Sequence, residues 1–391
     1  MSRDLTHTPQ ASLRTGFTTG ACAAAAAKGA ALMLTHQITL REVTIDLPCG
    51  QSATFALSGQ IFSQDHASCF VIKDAGDDPD ITNGAEIHAT VRRMPDTNQD
   101  HQDIITISGG RGIGRVTKPG LAVVPGNWAI NPVPFQMIFD SVIKVISRKC
   151  CVQVEISIPD GEERAKKTLN ARLGIIGGLS ILGTTGIVRP ISAKAWTDTL
   201  DAALDVARAC GCSTVVLSTG RTSEMAVQNY LKAQGTQSRI QADLFNSHLS
   251  APSLCLLPPL PEEAYIMMGD HIAYALKACQ DRGFNKPVIA CQFAKLLKIA
   301  CGHENTHAAA SELDLARLLG WAGESKVSQA IIETITHANT AREIAIACSF
   351  DRELLNIVFD HALSAIAHHA SSVLPLFALA DYNGTCIING R

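Results

Sequence analysis

From about residue 195 the chain repeats one order: an apolar strand, a short turn, then a helix. "STVVLSTGRTSEMAVQNYLKAQG", "EAYIMMGDHIAYALKACQDRG" and "KPVIACQFAKLLKIACG" each follow it. Few folds accommodate that order, because right-handed crossovers place the strands parallel and the helices on the faces of one sheet. The preceding "TDTLDAALDVARACG" has Leu200, Ala203, Leu204 and Ala207 at helical spacing. Asp198 and Asp201 are expected in its first turn, and Gly211 lies beyond its end. Ligands of parallel sheets sit at the carboxyl ends of the strands, in the β–α turns. Those turns are Ser218 to Ser223, Gly269 to His271 and Cys291 to Phe293. Residues 325–370 read as mostly helical, "GTCIING" as a last strand, and "LFNSHLSAPSLCLLPPLPEE" as a proline-rich connection.

The first half reads differently. Between residues 40 and 160, "EVTIDLPCG", "CFVIKDAGDDPD", "AEIHATVRR", "DIITISGG" and "VQVEISIPDG" are short strands ending in turn residues. "NPVPFQMIFDSVIKVIS" is a helix entered through proline. This half is α+β, with helices against one mixed sheet. A chain of 391 residues exceeds one ordinary core. The expected division is an α+β domain over 1–194 and an α/β domain over 195–391, the latter ending in a helical segment.

"RTGFTTGACAAAAAKGA", residues 14–30, precedes both patterns. It is a poor secretion signal: mixed residues precede it, Lys28 interrupts it, and no cleavage site follows a compact apolar core. Thr18 and Thr19 are natural N-caps and alanine is the best helix former. A helix this slim allows either neighbouring backbone or a ligand to approach closely. The ligand version is an anion cradle, in which the first N–H groups of the helix and the Arg14 fork hold a carboxylate.

Charge and cysteine content narrow the class. The net charge of −3 gives no general attraction to nucleic acid or to membrane. Any anionic ligand must therefore be met by local cations. Thirteen scattered cysteines without a CxxC pair suit reduced thiols and a cytoplasmic location. No run of about 18 apolar residues suggests a membrane helix. A homo-oligomer is compatible with these features and not specified by them.

"HENTH", His303 to His307, has the spacing of a helical zinc site with a glutamate base. It follows Gly302 at the end of a helical stretch, so a turn is expected there and no metal site. "SGGRGIGRVTKPG" lacks the dinucleotide spacing, and Pro119 and Gly120 deny it a following helix. It is either a tight hairpin or a glycine turn that binds anions with Arg111, Arg115 and Lys118. "KDAGDDPDITNG" holds Asp74, Asp77, Asp78 and Asp80, spaced more like a solvated turn than a calcium loop. "AKKTLNARLGIIGGLSILGTTGIVRP" brackets its glycines with Lys166, Lys167, Arg172 and Arg189. So many glycines point to close backbone approach, and a binding segment is expected.

Together "LRTGFTTGACAAAAAK", "VIKDAGDDPDITNGAEI", "SGGRGIGRVTKPGL", "AINPVP", "AKKTLNARLGIIGGLSILGTTGIVRPIS" and "STGRTSE" resemble the CbiD family of cobalamin biosynthesis, the cobalt-precorrin-5B C-1-methyltransferases. The resemblance runs from about residue 13 to at least residue 310; beyond residue 325 no motif carries it. Ala273, Cys291 and Ala294 stand where it leads one to expect glycine.

The resemblance implies methyl transfer from S-adenosylmethionine to a ring carbon of a corrinoid, with cobalt present only as part of that substrate. It implies an α+β N-terminal domain and a Rossmann-like C-terminal domain, and it hands over no catalytic residue. The corrinoid's carboxylates would be met by Arg14, Thr18, Thr19, Gly20, Lys28, Arg115, Lys118, Lys166, Lys167, Arg172 and Arg189. The donor would lie at Ser218, Gly220, Arg221, Glu224, Gly269 and Asp270, with Glu224 or Asp270 accepting from ribose hydroxyls. Two other classes fit less of the chain: a zinc hydrolase using "HENTH", and a non-catalytic corrinoid-binding protein.

Overall fold

The computed structural model describes residues 13–94, 105–147, 150–241, 257–325 and 327–388. The chain forms two compact units, Met1–Ala193 and Lys194–Arg391.

The first unit runs β1 (Gly16–Phe17), α1 (Thr19–His36), β2 (Glu42–Asp46), β3 (Ser52–Ala56), β4 (Ser58–Phe62), β5 (His66–Ile72), β6 (Glu86–Arg93) and β7 (Ile105–Gly109). It continues through β8 (Arg115–Val116), α2 (Pro132–Ile143), β9 (Val152–Ser157), α3 (Gly161–Ala165), β10 (Ile175–Ile176) and β11 (Ile187–Val188). Its main sheet has the order β4-β5-β6-β9-β7. The pairs are antiparallel except β7 with β9, so the sheet is mixed. Alternate residues turn inward: Ala67, Cys69 and Val71 on β5, Ile87, Ala89 and Val91 on β6, Val152, Val154 and Ile156 on β9. Helix α1 packs against β5, β6 and α2. Ala21 to Ala27 are fully buried there. A helix apolar on every side belongs inside, and its small side chains let sheet and helix backbones come close. Close packing by the chain itself thus accounts for the alanine run. Pro132 opens α2, where a missing N–H costs nothing.

The second unit runs α4 (Ala193–Ala209), β12 (Val216–Ser218), α5 (Arg221–Gln241), β13 (Tyr265–Met267), α6 (Ile272–Asp281), β14 (Val288–Cys291) and α7 (Phe293–Ala300). Four helices follow, α8 (Leu315–Glu324), α9 (Gln329–His337), α10 (Ala341–Ala347) and α11 (Arg352–His369), then β15 (Leu376–Ala380) and β16 (Cys386–Ile388). The sheet order is β13-β12-β14-β15-β16, parallel except for β16. Successive residues enter opposite cores. Val216, Val288, Ala290 and Ala378 meet Val227 and Leu231 of α5. Leu217, Ile289, Phe377 and Leu379 join the larger core with residues of α4, α6, α7, α8 and α11. Strands buried on both faces read as continuous apolar runs, which is why "VVL" and "VIAC" lack alternation.

One expectation needs correction, and one strand was not expected. Helix α4 starts at Ala193, so Asp198 and Asp201 lie beyond its first turn. Asp198 pairs with Lys194 at 2.6 Å and Asp201 with Arg282 at 3.0 Å. Strand β15 lies just past the span read as helical, and it completes the parallel set beside β14. Part of the proline-rich connection, residues 244–256, lies outside the described residues.

Candidate functional site

In the first unit the segment before α1 is held on two sides. Strand β1 pairs with β11, Gly16 opposite Val188 and Phe17 opposite Ile187. On its other side Phe17 donates its N–H to Asp74 O at 2.7 Å, and Asp77 donates to Arg14 O at 2.9 Å. A Cβ on Gly16 would fall 2.0 Å from Ala75 C, so only glycine allows this contact. The four acids of "KDAGDDPDITNG" all serve internal bonds. Asp74 takes the Arg14 guanidinium on both oxygens. Asp77 accepts Arg14 N–H at 2.6 Å and Asp78 accepts Ile191 N–H at 3.0 Å. Asp80 accepts buried Lys73 at 2.6 Å. The hydrogen bond from Arg14, then that from Gly76 N–H, holds the Asp74 carboxyl below its ordinary value.

The anion cradle expected at the start of α1 is filled by the chain itself. Thr18 is the N-cap and accepts Ala21 N–H at 3.2 Å. Gly20 N–H goes to Leu182 O at 3.1 Å. Thr19 Oγ1 accepts Leu182 N–H at 2.9 Å and is 3 % exposed. Thr18, Thr19 and Gly20 therefore bind residues 182–186 and leave no room for a carboxylate. Arg14 is likewise taken by Asp74, and Lys28 by Thr44 O at 2.6 Å.

The glycine-rich segments explain one another. Strand β8 pairs with β10, Arg115 opposite Ile176, so "SGGRGIGRVTKPG" is not a hairpin of its own. Leu179 N–H reaches Gly112 O at 2.9 Å, and a Cβ on Gly178 would fall 2.3 Å from the same carbonyl. The close approach inferred from the glycines is backbone on backbone. Among the cations, Arg115 stacks 3.9 Å over Trp128 and donates to Gly126 O. Lys118 donates to Arg172 O at 3.2 Å, and Lys166 pairs with Glu163 at 2.6 Å. Lys167 and Arg189 are exposed and make no side-chain hydrogen bond or ion pair among the described residues. Arg111, read as an anion binder of the glycine turn but not carried into the corrinoid set, is in the same condition. Its signal was its place inside the glycine turn.

An open groove of about 240 Å³ lies beside Asp74, lined by Phe17, Thr54, Phe55, Ala56, Ser58, Val71 and Ile72. Drug-sized ligands occupy roughly 300–1,000 Å³, so this groove takes at most an edge of a macrocycle.

In the second unit three turns cluster at the carboxyl ends of β12, β13 and β14. A Cβ on Gly220 would meet nothing within 4 Å, so the turn after β12 is open. The acids behave otherwise than expected. Glu224 is fully buried, pairs with Arg221 and lies 3.5 Å from Ser218 Oγ, so it is closed to a ribose. Gly269 is left-handed at φ 59° and backs onto Trp196. Asp270 pairs with Lys295 and accepts Thr306 Oγ1 at 2.6 Å. Burial alone would raise its carboxyl, but those two hydrogen bonds and the Lys295 charge hold it below the ordinary value. "HENTH" lies in the turn after α7, not on a helix, so its two rings share no helix face. Its middle binds the β13–α6 turn: Thr306 N–H meets Asp270 O at 3.0 Å and Ala273 N–H meets Glu304 O at 3.2 Å. Lys295, Lys298 and Thr306 escaped the sequence reading because nothing in their spacing marks them.

The pattern of the family CbiD matches residues 6–190, and that of the CbiD C-terminal domain matches residues 305–384. A curated relative from Pelobacter propionicus is 61% identical over 96% of this chain and 96% of its own length. The chain belongs to the CbiD family. That relative, and one from Geobacter metallireducens at 53% identity over 97% of this chain and 99% of its own, are named cobalt-precorrin-5B C(1)-methyltransferase. The crystal structure of cobalamin biosynthesis protein (cbiD) from Archaeoglobus fulgidus is 26% identical, covering 73% of this chain and 78% of that one at TM-score 0.36. The CbiD match reaches past residue 325, where no sequence motif carried the resemblance. No helix among the described residues is long and apolar enough to cross a membrane.

Proposed function

We propose that this protein is a cobalt-precorrin-5B C(1)-methyltransferase that uses S-adenosylmethionine in cobalamin biosynthesis, in the cytoplasm. The near full-length identity of 61% to a curated enzyme of that name carries the reading. The substrate is an anionic corrinoid, and its cobalt belongs to the substrate. Residues 1–194 bind it through Arg111, Lys167 and Arg189, which have no side-chain partner among the described residues, together with Arg115, Lys118 and Arg172.

Residues 195–391 form a Rossmann-like domain that holds the donor. Its parallel strands run in the spatial order second, first, third, fourth. In sheets wound this way the ligand crevice lies between the first and third strands, here β12 and β14. Gly220 follows β12 at that end of the sheet, and its open backbone supports this reading. The turn Cys291 to Phe293 is thus its second wall, rather than Gly269. A sulfonium methyl is already activated, so the protein's main task is to hold the methyl and the ring carbon in line.

Calorimetry tests the donor half. The wild type should bind S-adenosylhomocysteine, and Gly220→Val should weaken that binding about tenfold or more, since the new side chain enters the approach path. No binding to the wild type, with and without corrinoid, contradicts the methyltransferase reading. Equal affinity in a folded Gly220→Val protein contradicts the placement only.

A further inference from the structure

Helix α7 carries two lysines, Lys295 and Lys298, that share one carboxylate, Asp270, among the described residues. Lys298 is 8 % exposed and has no carboxylate within ion-pair distance among the described residues. Its ammonium donates to Thr306 O at 3.2 Å and Ser311 O at 2.9 Å. Lys295 donates to that same Thr306 O at 2.9 Å and to Asp270 Oδ1. An ammonium has three donors. One N–H of each lysine is therefore without a partner among the described residues. Asp270 uses only Oδ1, for Lys295 and Thr306, and its Oδ2 accepts no hydrogen bond among those residues.

Two cations against one carboxylate in a partly buried place are costly unless a further anion joins them. Burial and the charge of Lys295 both lower the pKa of Lys298, and Asp270 only partly offsets them. The position matters as much as the charge. Asp270 follows β13 and Lys295 follows β14, the two strands flanking β12. Their ion pair ties the turn after β13 to the first helical turn of α7, on either side of the strand that leads to Gly220.

We propose that Lys295, Lys298 and Asp270 form the subsite for the zwitterionic amino-acid end of the donor. This rests on the methyltransferase reading. The two lysines take the α-carboxylate, and Asp270 Oδ2 takes the α-ammonium. Asp270 thus binds the donor at the end opposite to the ribose role read from the sequence. The "HENTH" connection is the clamp that fixes both lysines, through the carbonyls of Thr306 and Ser311.

The test compares S-adenosylhomocysteine with methylthioadenosine, which keeps the nucleoside and lacks the amino-acid end. Both affinities are measured in wild type, Lys298→Met and the more exposed Lys295→Met. In both variants the preference for S-adenosylhomocysteine should fall about 10- to 100-fold, the range for losing a hydrogen bond to a charged group, with methylthioadenosine affinity unchanged. An unchanged preference, including equal loss of both ligands, overturns the subsite. A wild type that binds neither compound contradicts the methyltransferase reading itself. Weakened corrinoid binding with the donor preference intact assigns the lysines to a substrate carboxylate and also overturns the proposal.

Discussion

Replacing Gly112 with alanine is expected to destabilise the first unit by about 2–6 kcal/mol, combining backbone strain at positive φ with an unrelieved overlap. Gly112 has φ 74°, and its Cβ would fall 1.9 Å from Ile158 O and 3.0 Å from Gly161. Those atoms are backbone and cannot swing away. Moving them breaks the bonds Ile158 N–H to Arg111 O and Leu179 N–H to Gly112 O, both 2.9 Å. The control is Gly177→Ala, at φ 85° with nothing within 4 Å of a Cβ. That change meets strain alone, about 1–3 kcal/mol. Denaturant unfolding, with hydrogen exchange followed over residues 105–190, separates the two. Equal stability of the two variants would show that the glycine loops do not interlock as described.

Breaking the buried pair Lys73–Asp80 should cost a similar amount. The Lys73 side chain is 1% exposed and donates to Asp80 at 2.6 Å. Removing one partner of such a pair leaves an uncompensated charge, at about 3–5 kcal/mol. Asp80→Asn keeps an acceptor for Thr82 while removing the charge, so it isolates this cost. Adding Lys73→Met should recover much of the loss, because it removes the uncompensated buried charge. The pH dependence follows from the carboxylate. Burial would raise Asp80, but the hydrogen bond and charge of Lys73, helped by Thr82, hold it below its ordinary value. A depressed pKa gives stability that is present above the unfolded value of about 4 and is lost as pH falls through the folded one. The double variant should lack this acid-side loss. An Asp80→Asn protein as stable as wild type at neutral pH would contradict the account.

The elements were legible where local chemistry decides them. Thr18 caps α1, Pro132 opens α2, and the strand–turn–helix order gave the parallel strands β12, β13 and β14. What sequence cannot show is who the neighbour is. The glycines at 112 and 178 announce a close approach, yet only coordinates show that each approaches the other and not a ligand. The same limit applies to charge: Arg14 and Lys28 look available until Asp74 and Thr44 are seen beside them. Lysine is usually solvated, so no periodicity singles out Lys298 as buried. The two histidines of "HENTH" suggest a shared face only on a helix, and the chain leaves its helix at Ala300.

The most direct measurement supplies S-adenosylmethionine with a ¹³C-labelled methyl group and cobalt-precorrin-5B to the purified protein, then reads the corrinoid by NMR. The account predicts the label on C-1, with one S-adenosylhomocysteine formed per methyl transferred. An unlabelled corrinoid from protein that binds both compounds, or a label on another ring carbon, would contradict it.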